Sequence, residues 1–287
     1  WNSNSNLINR FAELQKIQVV DLLTCAATHG YLPLLREHPG AIRGQLRTAF
    51  KEHLRLFKVA PLGIWLPECA YYEGLDRWIS DAGLRYAVLD GHGLLHASPR
   101  PRYGIYAPIA TRNGVAFFGR DSGSTLPVWS ARDGYPGDPS YREFHKDLGW
   151  VLSGDELRDL GFMESRPLCL KLFRVTDNAS DLDSKEFYDH SLASQRVIEH
   201  ASEYLKSRRA QFEQLSKSLE MEVPPLLVAP FDAELFGHWW YEGPQFLAEL
   251  FRQGGESDIS FTRLKDVLTP ITRLQLCDPS PSSWGKG

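Results

Sequence analysis

The sequence is poor in cysteine, has no long apolar run and carries no excess of either charge. Four cysteines, at positions 25, 69, 169 and 277 of 287 residues, are too few and too scattered for a disulfide scaffold or a paired zinc-ligand spacing. A reducing compartment, the cytoplasm, fits that usage. No segment approaches the roughly 18 consecutive apolar residues that a membrane span needs, which argues against a membrane partner. Lys plus Arg number 32 and Asp plus Glu 36, a formal charge of -4 with both signs dispersed. A nucleic-acid binder would gather basic residues on one face, so that class is excluded as well. Gly91-His92-Gly93 lacks the spacing of a phosphate-cradling loop. Internal repeats and low-complexity tracts are missing too. The chain opens on Trp1 without a basic and apolar leader and stops at SSWGKG without a capping pattern; the expectation is a fragment cut at both ends.

What the sequence does contain is enough apolar residue, 43%, for a chain of this length to bury about 75% of its unfolded surface. Short apolar runs alternate with longer helical patterns, the rhythm of a parallel α/β architecture. The expected strands are 17–24, 62–66, 85–89, 114–119, 168–175 and 226–231. The expected helices are 40–58, 73–82, 185–219 and 243–253, and the mixed charges of the long third one predict a break within it. Near-continuous apolar strands suit a sheet covered on both faces. Residues 120–145 differ in kind: rich in Gly, Pro, Ser and Asp, yet carrying Trp129, Tyr135 and Tyr141, they read as a long unstructured active-site loop.

Working groups of parallel α/β folds collect at the C-terminal ends of strands, and here each expected strand end is polar or ionisable. His29 follows the first, Glu68 the second, Asp90 and His92 the third, Arg120 and Asp121 the fourth, and Asp232 the last. Taken alone, Glu68 could serve the N-terminus of the following helix and Asp232 could be an N-cap. Together, two carboxylates at separate strand ends, each with aromatic neighbours such as Trp65, suit acid and nucleophile work on a glycosidic bond. His29, His92 and His238 show no metal-ligand spacing, so no metal is expected, and hydrogen bonding to sugar hydroxyls suits them better. Cys69 reads as a small buried residue rather than a nucleophile. Of the tandem Trp239 and Trp240, one should face a cavity, because neighbours cannot share a face.

Three segments resemble a known family. GIWLPECAYYEGLDRWISDAGLRYAVLDGHGLL and VAPFDAELFGHWWYEGPQFL are similar to the third and fourth signature regions of family-57 glycoside hydrolases, and TCAATHGYLPLL to the surroundings of the second. With FGRD, VWS, GYPGD and YREFH the pattern is most similar to the α-1,4-glucan branching enzymes of that family, from about Asp21 to the C-terminus. The resemblance implies an incomplete (β/α)7 TIM-like barrel, one partial catalytic domain over 1–287, with 120–145 as its active-site loop and the family's C-terminal helical domain missing. It implies retaining double displacement with Glu68 as nucleophile and Asp232 as general acid/base. His29, His238, Trp240 and the loop aromatics would line the donor and acceptor subsites, with Tyr135 matching the family's flexible-loop tyrosine. Adding the strand-end residues, the expected substrate-binding set is His29, Trp65, Asp90, Arg120, Asp121, Tyr135, His238, Trp239 and Trp240. The family's first and last regions are missing, and Asp21 stands where the second region usually has Glu.

The reading that results is transglycosylation on an α-glucan donor and acceptor, forming α-1,6 branches without metal or organic cofactor. An α-amylase or a 4-α-glucanotransferase would use the same residues with a different acceptor, and a glucan-binding protein without turnover is a third possibility.

Overall fold

The structure, a computed structural model, describes residues 6–177, 181–268 and 274–285; the two ends of the expected 1–287 domain lie outside them. The chain forms two compact units, the first from residues 1–122, 215–229 and 262–287, the second from 123–214 and 230–261.

The first unit is built on a six-stranded mixed sheet. Its strands are β1 (Thr24–Cys25), β2 (Gly63–Trp65), β3 (Tyr86–Leu89), β4 (Ile109–Ala110), β5 (Ala116–Gly119) and β6 (Gln275–Leu276), in the order β1-β2-β3-β5-β4-β6. The run β1-β2-β3-β5 is parallel, with Ile64 opposite Ala87 and Leu89 opposite Gly119, and only β4 meets β5 antiparallel. The sheet stays open: it is the wall of an incomplete, TIM-like (β/α) barrel. As the apolar strands required, both faces are covered. Ala87 and Leu89 of β3 point into one core and Tyr86 and Val88 into another, the alternation a strand imposes.

The helices beside the sheet follow their apolar spacing. After α1 (Leu7–Lys16) comes α2 (Pro39–Phe57), which has Pro at its first position and buries Ile42, Leu46, Ala49 and His53 on one stripe. Next come α3 (Leu75–Asp81), which buries Leu75 and Ile79, and the short α4 (Gly91–Leu95), capped by the Asp90 carboxylate.

Residues 120–145, of which 123–145 belong to the second unit, are not an unstructured loop. They hold the helix α5 (Ser122–Trp129) and a 3-10 turn at Tyr135–Gly137. Val128 and Tyr141 from this stretch are fully buried, so apolar anchors overrode its turn-rich composition. The short α6 (Leu148–Val151) and α7 (Gly154–Asp159) follow, the latter started by a capping box between Ser153 and Glu156. The long helix α8 (His190–Ser218) runs without the expected break and starts five residues later than expected. Asp189 accepts hydrogen bonds from the Ser191 and Leu192 N–H groups and fixes that start. Ala193, Val197, Ala201, Tyr204 and Leu205 of α8 pack with Phe246 and Leu250 of α9 (Gly243–Gly254). A last short helix, α10 (Leu264–Leu268), belongs to the first unit.

Of the expected strand 17–24 only Thr24 enters β1, after left-handed backbone at Gln18 (φ 61) turns the chain, and two other expected strands do not form. Residues 168–175 make only isolated bridges, at Phe173 and Arg174. Left-handed backbone at Cys169 (φ 59) and Thr176 (φ 67) interrupts the extended run, and Leu170 and Leu172 remain 46% and 45% exposed. The other, 226–231, is a single parallel bridge from Val228 to Arg120, because Pro230 has no N–H to extend the ladder.

Candidate active site

Glu68 stands at the C-terminal end of β2, in a 3-10 turn over Pro67–Cys69. Its φ of 62 and that of Cys69, 50, are left-handed, an unfavourable backbone for non-glycine residues that marks sites where side-chain direction is imposed. A terminal strap imposes it here. Ser282 exchanges both backbone hydrogen bonds with Tyr71, at 2.9 and 3.1 Å, and the Glu68 carbonyl accepts from the Trp284 N–H (3.0 Å) and the Ser283 hydroxyl (3.1 Å). The strap also runs against α4, where a Cβ on Gly93 would come within 2.5 Å of the Ser282 hydroxyl. Only glycine fits at that contact.

The strap brings an indole to the carboxylate: Trp284 Nε1 donates to Glu68 Oε2 at 2.9 Å. On the other oxygen, His29 Nε2 lies 3.5 Å from Oε1. His29 is itself held in a left-handed turn (φ 52) after β1, where its N–H donates to the Ala26 carbonyl. Gln45 of α2 pins that turn by bonding both the N–H and the hydroxyl of Thr28. The Glu68 side chain keeps 50% of its area exposed, so a ligand can reach it. Glu68 is thus not spent on the N-terminus of α3, the bland role its position allowed.

Trp284 also connects the other strand ends. Its ring meets Trp65 edge-on, with centroids 4.9 Å apart, and the Arg120 guanidinium lies 5.5 Å from its centre. Arg120 donates to Asp90 Oδ2 (3.1 Å), while His92 Nδ1 pairs with Oδ1 (2.8 Å). The ends of β1, β2, β3 and β5 therefore supply one contiguous group, His29, Glu68, Trp65, Asp90 and Arg120, with Trp284 at its centre. Asp121, expected beside Arg120, is only 4% exposed and does not offer a lining group. Asp21 is engaged elsewhere, accepting from the Tyr86 hydroxyl and pairing with Lys265 at 3.1 Å.

Trp284 and Ser283 were not anticipated. They belong to the terminal stretch read as a severed end, and their partner Glu68 is 215 and 216 positions away in sequence. A tryptophan set among small residues in a segment with no helical or strand period was the available sign.

In the second unit Asp232 occupies the N-cap position of a 3-10 turn, Ala233–Leu235, but its side chain makes no capping hydrogen bond. It is part-buried, and His238 beyond it is exposed. Of the tandem tryptophans, Trp239 is 51% exposed and Trp240 1%. Trp240 is thus core, in ring contact with Phe246 (4.9 Å) and Tyr141 (5.6 Å), and lines no subsite. Tyr135 is no free lid tip either. It is half-buried, its ring 4.5 Å from that of His200 and 5.6 Å from Phe246. Burial pushes its hydroxyl up to about 12. Tyr135, Asp138 and His200 line a cavity of about 290 Å³ with Pro127, Arg132 and Asp133.

His200, 3% exposed, shares a 2.7 Å hydrogen bond with the Tyr141 hydroxyl through Nδ1 and lies 3.5 Å from Asp138 through Nε2. Burial and the Arg196 charge lower its pKa, so it is neutral at pH 7. Burial opposes ionisation of Asp138, but hydrogen bonds from Arg196 and the Ser140 N–H outweigh it and hold the carboxyl below its usual range. Among the described residues no group of three or more His, Cys, Asp or Glu could hold a metal ion, and no helix is long and apolar enough to cross a membrane.

Comparison with known proteins identifies the family. A sequence model of glycosyl hydrolase family 57 matches residues 1–155. A 1,4-alpha-glucan branching enzyme of Thermococcus kodakarensis is 33% identical over 99% of this chain and 43% of its own length. The crystal structure of an alpha-amylase from Thermotoga maritima superposes with a TM-score of 0.92 at 38% identity, over 98% of this chain and 55% of that one. For a family-57 branching enzyme of Pyrococcus horikoshii the TM-score is 0.84 at 32% identity, over 98% and 51%. The chain spans about half the length of these relatives. With more than half of its residues matched by the family model and a third of them identical to a curated member, the chain belongs to glycosyl hydrolase family 57.

Proposed function

We propose that the protein acts on α-1,4-glucans by retaining double displacement and transfers the cleaved chain to a glucan 6-hydroxyl, making branches. The observation that carries this reading is the setting of Glu68. It is a half-exposed carboxylate at a parallel-strand end, aimed by an indole N–H and flanked by a histidine. Donors of this kind orient a carboxylate without neutralising it. Asp232 gives its proton to the glycosidic oxygen as the bond to the anomeric carbon breaks, and a Glu68 oxygen bonds to that carbon. Asp232, now ionised, takes the proton of the acceptor hydroxyl as that oxygen displaces Glu68, so the anomeric configuration is retained.

Hydrolysis is the second reading, because the alpha-amylase superposes at the higher TM-score, 0.92 against 0.84. The two readings share every residue and differ in the acceptor. Full-length protein on amylose should lower iodine absorbance without releasing reducing ends; reducing ends rising in step with the loss of stain would establish water as acceptor. Asp232→Ala tests the roles. It should stall on amylose, turn over an α-nitrophenyl maltoside, and with azide yield the α-glycosyl azide. The β-azide would exchange the roles of Glu68 and Asp232.

A further inference from the structure

We infer that Cys25 is a positioning residue: its thiol donates to His29 and fixes the imidazole in the tautomer whose N–H faces Glu68. This deepens the reading of Glu68 given above and rests on it. Cys25 closes β1 and stands opposite Trp65 of β2 in the parallel register. The sheet thus carries it to the strand edge from which Glu68 follows, three residues after Trp65. Beyond Cys25 the chain turns back on itself. Ala27 N–H donates to the Gln45 carbonyl at 3.3 Å and His29 N–H to the Ala26 carbonyl at 2.9 Å, and the left-handed backbone of His29 (φ 52) completes the reversal. One side chain is held by the sheet and the other by the turn, with Cys25 Sγ 3.4 Å from His29 Nδ1.

The imidazole therefore stands between two unlike partners: Nδ1 faces the thiol, and Nε2 lies 3.5 Å from Glu68 Oε1. A neutral imidazole carries one N–H, and the partner of each nitrogen decides which one bears it. A carboxylate can only accept, whereas a thiol has a proton to give. Cys25 is a free cysteine of intermediate burial. Desolvation pushes its pKa up and outweighs the backbone hydrogen bond from Ala26. The group therefore stays a thiol instead of becoming the thiolate of a nucleophilic cysteine–histidine pair. With the S–H directed at Nδ1, the ring proton sits on Nε2 and points at the carboxylate. The reverse tautomer would set a lone pair against the Glu68 oxygen. Trp284 already donates to Oε2, so each carboxylate oxygen meets one neutral donor. Such donors hold its direction, and neither removes the charge that makes a carboxylate a nucleophile. All of these groups belong to the first unit.

The test compares Cys25→Ala and Cys25→Ser in the full-length protein by turnover of amylose and by long-range proton–nitrogen-15 spectra of labelled histidine. The ring nitrogens of the two tautomers resonate apart in such spectra, and His29→Asn identifies the signals of His29. Cys25→Ala should lower kcat about fivefold, within the net worth of one neutral hydrogen bond, with KM nearly unchanged. It should also move the His29 signals from the Nε2–H pattern towards a mixture of tautomers. Cys25→Ser keeps a donor and should restore most of kcat together with the Nε2–H pattern. A thiol that only fills space predicts the opposite order, because a serine hydroxyl left without a partner costs more than alanine in a half-buried place. Unchanged kcat or unchanged His29 signals in Cys25→Ala overturns the positioning role, as does a Cys25→Ser protein no better than Cys25→Ala at equal melting temperature. The reading of Glu68 fails separately, if Glu68→Gln keeps its turnover; the His29 signals would still report what the thiol does.

Discussion

In the first unit Glu68 keeps half of its side chain in solvent and is aimed by groups from distant parts of the chain. In the second, His200 is 3% exposed, and Tyr141, Asp138, Arg196 and the ring of Tyr135 enclose it. Both are titratable groups with well-defined neighbours, so a partner count does not separate them. What separates them is where the remaining valence points. An oriented carboxylate that still meets solvent keeps capacity to react, whereas an enclosed imidazole has spent its capacity on packing. Substitutions in the first unit's site should register in turnover, and those in the second unit's core in stability.

The strongest test of that contrast is Glu68→Gln in the full-length protein. Loss of a nucleophile should cost about 10⁴-fold or more in turnover, over 5 kcal/mol of transition-state free energy. The melting temperature should stay nearly unchanged, because the exposed carboxylate fills no core. Residual turnover above about 1% would remove Glu68 from its role.

Next in size is Trp240→Ala. It opens a void among Tyr141, Phe236 and Phe246 and should destabilise by about 3–5 kcal/mol in denaturant unfolding. A loss under about 1 kcal/mol would mean that the second unit is not cored by this residue and would blur the comparison.

The smallest effect concerns pH. His200 has a lowered pKa in the folded chain, so between that value and the unfolded value of about 6.5 the unfolded state binds more protons. Its contribution is complete above pH about 6.5 and is lost as pH falls towards the folded value, with a slope of at most about 1.4 kcal/mol per pH unit. Asp138, also lowered, acts only below its ordinary range near pH 3.8. Glu242, raised by burial, acts in the opposite sense, since its share falls as pH rises from about 4.3. Unfolding of the intact chain at pH 7.5 and 5.5 should show the His200 loss, and His200→Gln should flatten it. An unchanged slope in that variant would place the acid-sensitive group elsewhere.

Legibility from sequence followed the range of the interaction. β2, β3 and β5 were evident because each is a short apolar run closed by Pro67, Asp90 or Arg120, and α2 and α9 because their buried positions recur at helical spacing. Glu68, His29, Asp90 and Arg120 were found through strand ends, a local rule. The 168–175 run failed because apolar composition does not guarantee burial, and the 120–145 stretch because two buried anchors outweighed many turn formers. The buried Trp240 and the exposed Trp239 could be told apart only as a pair, not individually. Trp284 was beyond a local rule altogether: its value to Glu68 exists only once the strap has closed across 216 positions.

The left-handed backbone at Glu68 and Cys69 has a consequence for anyone selecting variants of this protein. Each such residue costs on the order of 1–3 kcal/mol relative to a relaxed turn, and glycine at 68 would keep the carbonyl contacts to Ser283 and Trp284 while shedding its share of that cost. Heat alone, applied to a library, rewards the loss of the carboxylate proposed as nucleophile. Sorting for endurance therefore has to be coupled to a screen for turnover, or the most durable descendants will be inert.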